Sequence, residues 1–201
     1  MRRRVVALAV ALAGCKGSAE RTIDQYETVP APVVGRGVTL YLGDVTAGKH
    51  ATVRVTAPNG DVLAHGELER RDELPFRYEN VEYVVIPLWY EDHTISDLGR
   101  LRVERRARRA RKDQVEIEEG KTGPVPMRPD EQLRVGPIEL DRLVDLTHVA
   151  ADGHEGRDAY AVGEAKQFGD QGADYSLTLL GVSFQRGGVD RAIVRFRSGR
   201  Q

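Results

Sequence analysis

Strict alternation of apolar and polar residues is the feature that most constrains how this chain can fold. From Ala51 to Thr56 the sequence places Ala51, Val53 and Val55 on one face of an extended segment and polar residues on the other. Asn59-Gly60 follows, and an Asn-Gly pair after such a run is typical of a β-hairpin turn. The pattern therefore predicts an antiparallel, all-β fold.

Other runs rich in strand-forming residues extend this pattern over most of the chain. They cover residues 38–42, 62–68, 83–90, 101–103, 135–140, 175–182 and 192–196. Pro87 lies inside one of these runs, and a proline that cannot donate to a ladder is expected at a sheet edge or a bulge. The expected architecture is a β-sandwich or two small tandem barrel-like modules.

The two halves of the chain share a pattern of aromatic residues. In each half, a tyrosine opens an apolar strand and a phenylalanine lies seven positions before it. The pairs are Phe76 with Tyr83 and Phe168 with Tyr175. After the next turn, residues 100–103 align with residues 191–194 once one gap is allowed. Two hypotheses remain open: a repeat of two similar β modules, or the general likeness of any two β-hairpins.

Charge is concentrated between the halves, in a connector over residues 104–130. Good helix formers without a broad apolar stripe predict at most a short helix there, before Pro and Gly residues interrupt regular structure. Four arginines are candidates for binding anionic lipid, lipopolysaccharide phosphate or an acidic partner: Arg105, Arg106, Arg108 and Arg109. The alternative is a solvated segment whose arginines are paired by the glutamates that follow.

The N-terminus has the organisation of a secretory signal. Three arginines at positions 2–4 precede an apolar stretch, Val5–Ala13, which is too short to span a bilayer. The stretch ends in Leu12-Ala13-Gly14-Cys15, and Cys15 is the only cysteine of the chain. This tetrapeptide resembles the lipobox of bacterial lipoproteins. The resemblance implies that Cys15 carries diacylglycerol, that the Gly14–Cys15 bond is cleaved, and that the new amino group gains a further acyl chain such as palmitate.

The resemblance also implies a location. Two or more acyl chains hold a protein stably on a membrane. An aspartate after the lipidated cysteine favours the inner membrane in enterobacteria, and Lys16 at that position favours the outer membrane, facing the periplasm. With Cys15 lipidated, no disulfide could form, so the fold would depend on its hydrophobic core.

The remaining composition limits the kinds of partner. Cleavage would remove three of 30 basic residues and leave 27 against 31 acidic ones, a balance that does not favour nucleic-acid binding. The sequence predicts five segments: signal peptide 1–14, lipidated N-terminus and tether 15–32, β module 33–103, connector 104–130 and β module 131–201.

One polar loop contains residues that could bind a metal. Two imidazoles and two carboxylates, His148, Asp152, His154 and Asp158, lie within eleven residues, and such ligands suit zinc or calcium. The loop lacks the spacing of an EF-hand or a His-Glu-x-x-His helix. Asp152-Gly153 is also ordinary turn chemistry, so a plain surface loop is the alternative.

The aromatic residues of the first half could form an interface. We expect Phe76, Tyr83 and Trp89 in the core, which leaves Tyr78 and Tyr90 as surface candidates. No local catalytic motif is present, although catalytic residues can converge from distant positions. The sequence favours a non-catalytic envelope lipoprotein that binds an envelope protein or wall polymer. The alternative is a metal-binding or metal-dependent hydrolytic lipoprotein.

Overall fold

The predicted all-β fold is confirmed. The computed structural model describes residues 17–93, 96–106, 111–126, 128–168 and 175–198, and within these ranges the chain forms strands and turns with no helix. Every strand pairing is antiparallel. Gly14, Cys15, Arg108 and Arg109 lie outside the described residues.

Sixteen strands in the described residues form two successive sets of eight. The first set is β1 (Ser18–Asp24), β2 (Thr28–Pro30), β3 (Thr39–Thr46), β4 (His50–Thr56), β5 (Val62–Glu69), β6 (Leu74–Tyr78), β7 (Val81–Glu91) and β8 (Leu98–Arg105). The second set is β9 (Gln114–Glu118), β10 (Thr122–Val125), β11 (Arg128–Val135), β12 (Val144–Val149), β13 (Glu155–Tyr160), β14 (Ala165–Phe168), β15 (Tyr175–Ser183) and β16 (Arg191–Ser198).

Each set of eight strands builds a hydrophobic core, and Leu180 and Ile193 of the second set also join the core of the first. We call β1–β8 module 1 and β9–β16 module 2. Module 1 packs residues of both its layers into one cluster, including Leu42 of β3 and Leu101 of β8. Module 2 does the same with Leu146 of β12 and Phe196 of β16. Each module is therefore a two-layer β structure, as the alternating pattern predicts.

The two modules have the same topology. In module 1 one layer has the strand order β1-β8-β7-β6 and the other β2-β3-β4-β5. In module 2 the corresponding orders are β9-β16-β15, with β14 also paired to β15, and β10-β11-β12-β13. Adding eight to each strand number converts one module into the other. The chain thus contains an internal structural repeat.

Residue pairing repeats as well as strand order. Phe76 pairs with Tyr83 across β6 and β7, and their rings stack with centroids 5.5 Å apart. Phe168 pairs with Tyr175 across β14 and β15. The same relative register therefore recurs 92 residues later, which supports the repeat hypothesis over chance likeness.

A β-bulge recurs at the matching position of both long strands. The register shifts at Leu88, directly after Pro87, and again at Leu180. Pro87 therefore lies at a bulge, as the sequence predicts. Beyond the bulge Arg100 occupies the position of Ile193, so the gapped alignment of residues 100–103 with 191–194 was wrong by two residues.

The connection between the layers is also repeated. The Arg71 amide donates to the Pro87 carbonyl oxygen over 2.8 Å, and the Gly163 amide donates to the Leu179 carbonyl oxygen over 2.7 Å. Both donors have positive φ angles, 71° and 87°. Gly163 adopts this left-handed conformation without steric cost, whereas Arg71 adopts a conformation that is unfavourable for a residue with a side chain.

The modules are joined because one sheet continues from one into the other. Residues 181–183 of β15 pair with residues 64–66 of β5. The Phe184 amide extends this ladder by donating to the Leu63 carbonyl oxygen over 2.9 Å. We call this β5–β15 contact the seam. It makes a single eight-stranded sheet out of one layer from each module.

Two opposed glycines allow the seam strands to approach each other. Gly66 and Gly181 are direct partners. A Cβ atom on Gly181 would lie 2.6 Å from the His65 carbonyl oxygen, and one on Gly66 would lie 2.9 Å from the Leu180 carbonyl oxygen. Both distances are shorter than the closest approach that a Cβ atom can make to a carbonyl oxygen. Any residue larger than glycine at either position would therefore push the strands apart.

Buried charges cross the boundary between the modules. Arg195 of module 2 contacts Asp72 at 2.6 Å and Glu69 at 2.8 Å, and both Arg195 and Asp72 are almost fully buried. Gln114 donates to the second Asp72 oxygen over 3.3 Å. Burial raises the pKa of Asp72 despite Arg195. Burial also acts to raise the pKa of Glu69, but Arg197 and Arg195 outweigh it and lower that pKa.

The predicted tether over residues 15–32 was wrong. Residues Ser18–Asp24 form β1, which pairs with β8, and Thr28–Pro30 form β2, which pairs with β3. Ile23 is fully buried in the core of module 1. The segment lacks a regular alternation, and its strands form because distant strands supply backbone partners.

The predicted connector over residues 104–130 was wrong as well. It contains β9 and β10, and the described part of it holds no helix. β9 pairs with β16 and buries Gln114 and Ile117, while its charged residues bind arginines from both modules. Pro124 is tolerated because β10 is the edge strand of its sheet.

Replacing Gly181 by alanine is expected to destabilise the seam. The added Cβ would collide with the His65 carbonyl oxygen, and we expect a loss of about 2 kcal/mol in the free energy of unfolding, measured by urea denaturation. Gly156→Ala is the control, because a Cβ there meets nothing within 4 Å. It should change the free energy by less than about 0.5 kcal/mol. Equal effects of the two changes would contradict the steric account of the seam.

Candidate functional site

Several described arginines of the charged run make internal contacts. Arg106 forms an ion pair with Glu116 of β9. Burial acts to lower the pKa of Arg106, but Glu116 outweighs it and raises that pKa. Arg111 binds Asp113 at 2.8 Å. Arg105 is exposed at the end of β8, so among the described members of the predicted set it is the one that faces solvent.

The predicted metal ligands are not brought together. His148 binds Glu131, Asp158 lies 3.6 Å from Lys166, and His154 is exposed. The Asp152 carboxylate accepts a hydrogen bond from the His154 amide over 2.9 Å, as is usual in a turn. The described residues contain no group of three or more His, Cys, Asp or Glu side chains that could hold a metal ion.

The repeat explains this polar loop as a hairpin turn. The Ala150 amide donates to the His154 carbonyl oxygen over 2.9 Å, as the Ala57 amide donates to the Asp61 carbonyl oxygen over 2.8 Å. Asp152 occupies the position of Asn59, whose side-chain oxygen also accepts an amide hydrogen two residues on. The loop that resembled a metal site is the module 2 copy of the predicted Asn-Gly hairpin.

The aromatic interface prediction was wrong for Tyr90. Its side chain is buried, with 8% exposed, and its hydroxyl donates to the Leu68 carbonyl oxygen over 3.0 Å. Burial raises the pKa of Tyr90 well above its ordinary value. Trp89, which we expected in the core, is half-buried instead. The bulge at Leu88 changes which residues of β7 face inward. Tyr78 is half-buried and packs at the margin of the module 1 core.

A groove lies where the two modules meet. Its volume is about 960 Å³. It is lined by the β4–β5 turn and the β6–β7 turn of module 1 and by residues 184–188 and Asp190 of module 2. Leu140, which is 40% exposed, and Phe184 add apolar surface. Concave sites between domains are common ligand sites.

Two arginines from different modules line the groove beside three carboxylates, Asp61, Glu79 and Asp190. Arg77 lies on β6 and Arg186 lies between β15 and β16, and both are exposed. No ion pair of either arginine occurs among the described residues. Two groove carboxylates already accept hydrogen bonds within turns: Asp61 binds Asn59, and Asp190 accepts the Gln185 amide. The groove can therefore present two guanidinium groups to a carboxylate or phosphate.

Module 2 also contains a polar cluster formed by Glu131, His148 and Tyr175. The Glu131 carboxylate lies 2.7 Å from His148 Nε2 and accepts a hydrogen bond from the Tyr175 hydroxyl over 2.9 Å. The side chains of His148 and Glu131 are 15% and 17% exposed. Burial and Glu131 raise the pKa of Tyr175, so its hydroxyl remains a donor near neutral pH.

The repeat shows that this polar cluster departs from the common pattern. By strand register, Glu131 and His148 occupy the positions of Val38 and Val55, which are fully buried in module 1. A polar pair in place of core valines rarely increases stability. The cluster is thus a local specialisation of module 2, and the sequence signal for it becomes visible only when the two modules are aligned.

Comparison of the chain with protein-family models, with curated proteins and with solved structures found no match. In the part of the chain that the structure describes, no helix is long and apolar enough to cross a membrane.

The polar cluster is expected to cost stability rather than supply it. The triple variant Glu131→Val, His148→Val, Tyr175→Phe restores the apolar pattern of module 1 without leaving an unpaired hydroxyl. We expect its free energy of unfolding to equal or exceed that of the parent by about 1 kcal/mol in urea denaturation. The reciprocal control, Val38→Glu with Val55→His, should lose more than about 3 kcal/mol. If the triple variant lost a similar amount of its free energy of unfolding, the cluster would be a stabilising part of the fold, contrary to this expectation.

Proposed function

We propose that the protein is a lipid-anchored, non-catalytic binding module of a bacterial cell envelope, and that the groove between its modules binds an acidic segment of another envelope protein. The observation that carries the binding role is the pair of exposed arginines, Arg77 and Arg186, contributed by different modules to one groove. The resemblance of residues 12–15 to a lipobox supports the anchor.

The proposed anchor would hold the folded part close to the membrane. β1 begins at Ser18, so only Lys16 and Gly17 separate Cys15 from the first strand. Two residues span at most about 7 Å. Module 1 would therefore lie against the headgroups. The proposed location is the outer membrane, with the protein facing the periplasm.

The groove lies at the end of module 1 where β1 begins, which is the end that the proposed anchor would hold. The Arg105 amide donates to the Gly17 carbonyl oxygen over 2.8 Å, and the Arg106 amide donates to the Glu82 carbonyl oxygen over 2.9 Å. Glu82 follows the β6–β7 turn, whose residues 78–80 line the groove. A ligand in the groove would thus be held near the membrane surface. Exposed Arg105 at this end would favour anionic headgroups.

Replacement of Cys15 by serine tests the anchor. We expect Cys15→Ser in the full chain to leave the membrane fraction and to keep residues 1–14, because neither lipidation nor cleavage can follow. Fractionation and intact-mass measurement would show both effects. Lys16→Ser is the control and should remain lipidated and membrane-bound. Parent-like fractionation and mass for Cys15→Ser would refute the anchor.

Charge reversal in the groove tests the binding role. We expect Arg77→Glu with Arg186→Glu to reduce at least tenfold the yield of the protein captured by crosslinking in intact envelopes, because two contacts to carboxylates are lost. Arg21→Glu with Arg70→Glu is the control, since these exposed arginines do not line the groove.

Unchanged capture by the groove variant would refute this site while leaving the anchor untouched. Co-sedimentation with purified wall polymer, without any captured protein, would also contradict the choice of a protein ligand.

A further inference from the structure

Charge alone does not determine what the groove between the modules would select. Its lining contains the exposed arginines Arg77 and Arg186, but also three carboxylates, Asp61, Glu79 and Asp190. An acidic ligand would gain contacts with two guanidinium groups and would be repelled by the carboxylates beside them. Other residues of the lining must therefore contribute to the selection of a ligand.

Apolar side chains from both modules also line the groove. Leu140 of module 2 is 40% exposed, and burial of a leucine side chain against a ligand is favourable. Phe184 of module 2 and Tyr78 of module 1 are half-buried in the same lining. Apolar surface with a few placed polar groups is the usual composition of a binding site. The groove therefore offers contacts to an apolar side chain as well as to carboxylates.

The lining also contains a hydrogen-bond donor that lacks an acceptor. The side-chain nitrogen of Gln185 is buried and has no hydrogen-bond partner among the described residues. Such a donor costs stability, and a ligand that supplies an acceptor offsets the cost. A backbone carbonyl oxygen could do so once the Gln185 side chain turns toward the groove. At Gly187 a Cβ would meet no atom within 4 Å, so a ligand backbone has room to approach.

We infer that the acidic segment bound by the groove is extended and carries a large apolar residue between two carboxylates. This inference rests on the proposed function and deepens it by specifying the pattern of the ligand. Successive side chains of an extended segment point to opposite sides. The apolar residue would contact Leu140 and Phe184, while the carboxylates on the other side reach the exposed arginines. A carbonyl oxygen of the segment would accept the hydrogen bond from Gln185.

Two capped peptides of equal charge test this pattern: Gly-Glu-Phe-Glu-Gly and Gly-Glu-Gly-Glu-Gly. Each is titrated by isothermal titration calorimetry into the full chain held in nanodiscs of phosphatidylcholine, a lipid without net charge. We expect the phenylalanine peptide to bind about tenfold more tightly than the glycine peptide, because the groove buries its ring. Arg77→Glu with Arg186→Glu should weaken the binding of both peptides by about tenfold or more.

Two exposed leucines provide a matched pair of variants. Leu140→Ser should reduce the preference for the phenylalanine peptide to about threefold or less, because the apolar contact is lost. Binding of the glycine peptide should be unchanged. Leu143→Ser is the control, since Leu143 is 59% exposed and does not line the groove. It should keep the full preference.

Replacement of Gln185 by leucine separates a ligand contact from a structural role. Removal of an unsatisfied donor should leave the midpoint of urea unfolding unchanged or raise it. Both peptides should bind about threefold less tightly, because each loses one hydrogen bond. A lowered midpoint with unchanged peptide binding would assign Gln185 to the fold and overturn its part in the inference.

The outcomes distinguish this inference from the proposed function. Equal affinity for the two peptides would overturn the inference, while a loss of binding on charge reversal would still support an acidic ligand. A preference for the phenylalanine peptide that survives Leu140→Ser would also overturn it, since the ring would then bind elsewhere. If neither peptide bound, or if charge reversal had no effect, the groove would be overturned as the binding site as well.

Discussion

The structure depends on one constraint, the close approach of two backbones at the seam. A β-ladder requires neighbouring strands about 4.8 Å apart, and beside the bulge at Leu180 that spacing leaves no room for side chains on Gly66 and Gly181. Once these strands pair, the β4–β5 turn is carried to the edge of the groove, and Asp72 comes within reach of Arg195. The groove and the buried ion pair are therefore both consequences of the seam.

Comparison of the two modules shows which residues serve the common fold and which serve something else. Arg102 and Arg195 occupy matching positions, but Arg102 binds Glu20 within module 1, whereas Arg195 reaches Asp72 of the other module. A buried ion pair is weak evidence for stability, but removal of one partner leaves an uncompensated charge. This pair therefore favours one relative placement of the modules over others. Glu131 and His148 of module 2 occupy positions at which module 1 has valines. This divergence is of a different kind, because it is confined to one module.

The features predicted correctly were those encoded within short segments. The alternation over residues 51–56, the Asn59-Gly60 turn and the bulge beside Pro87 each follow from neighbouring residues. β1 and β9 were missed because their partners, β8 and β16, lie about 80 residues away in sequence and supply what the local pattern lacks. The predicted ligand loop shows a different limit of local patterns: His, Asp and Gly residues are common to ligand loops and to hairpin turns, and the matching turn of module 1 identifies this segment as a hairpin turn. The groove joins turns from both modules and could not be located before the seam was known.

The position of the first strand changes what an anchor at Cys15 would do. A long tether would let the modules sample many orientations, but β1 begins at Ser18 and pairs with β8 along its whole length. With Cys15 lipidated as proposed, the Gly17–Arg105 hydrogen bond would fix the end of module 1 that touches the headgroups. The β6–β7 turn lies at that end, so the groove would open beside the membrane, where Arg77 and Arg186 meet whatever negative charge lies within a Debye length, about 8 Å at physiological salt. Short spacing between lipid and fold would thus select ligands that lie next to the bilayer over those in the open periplasm.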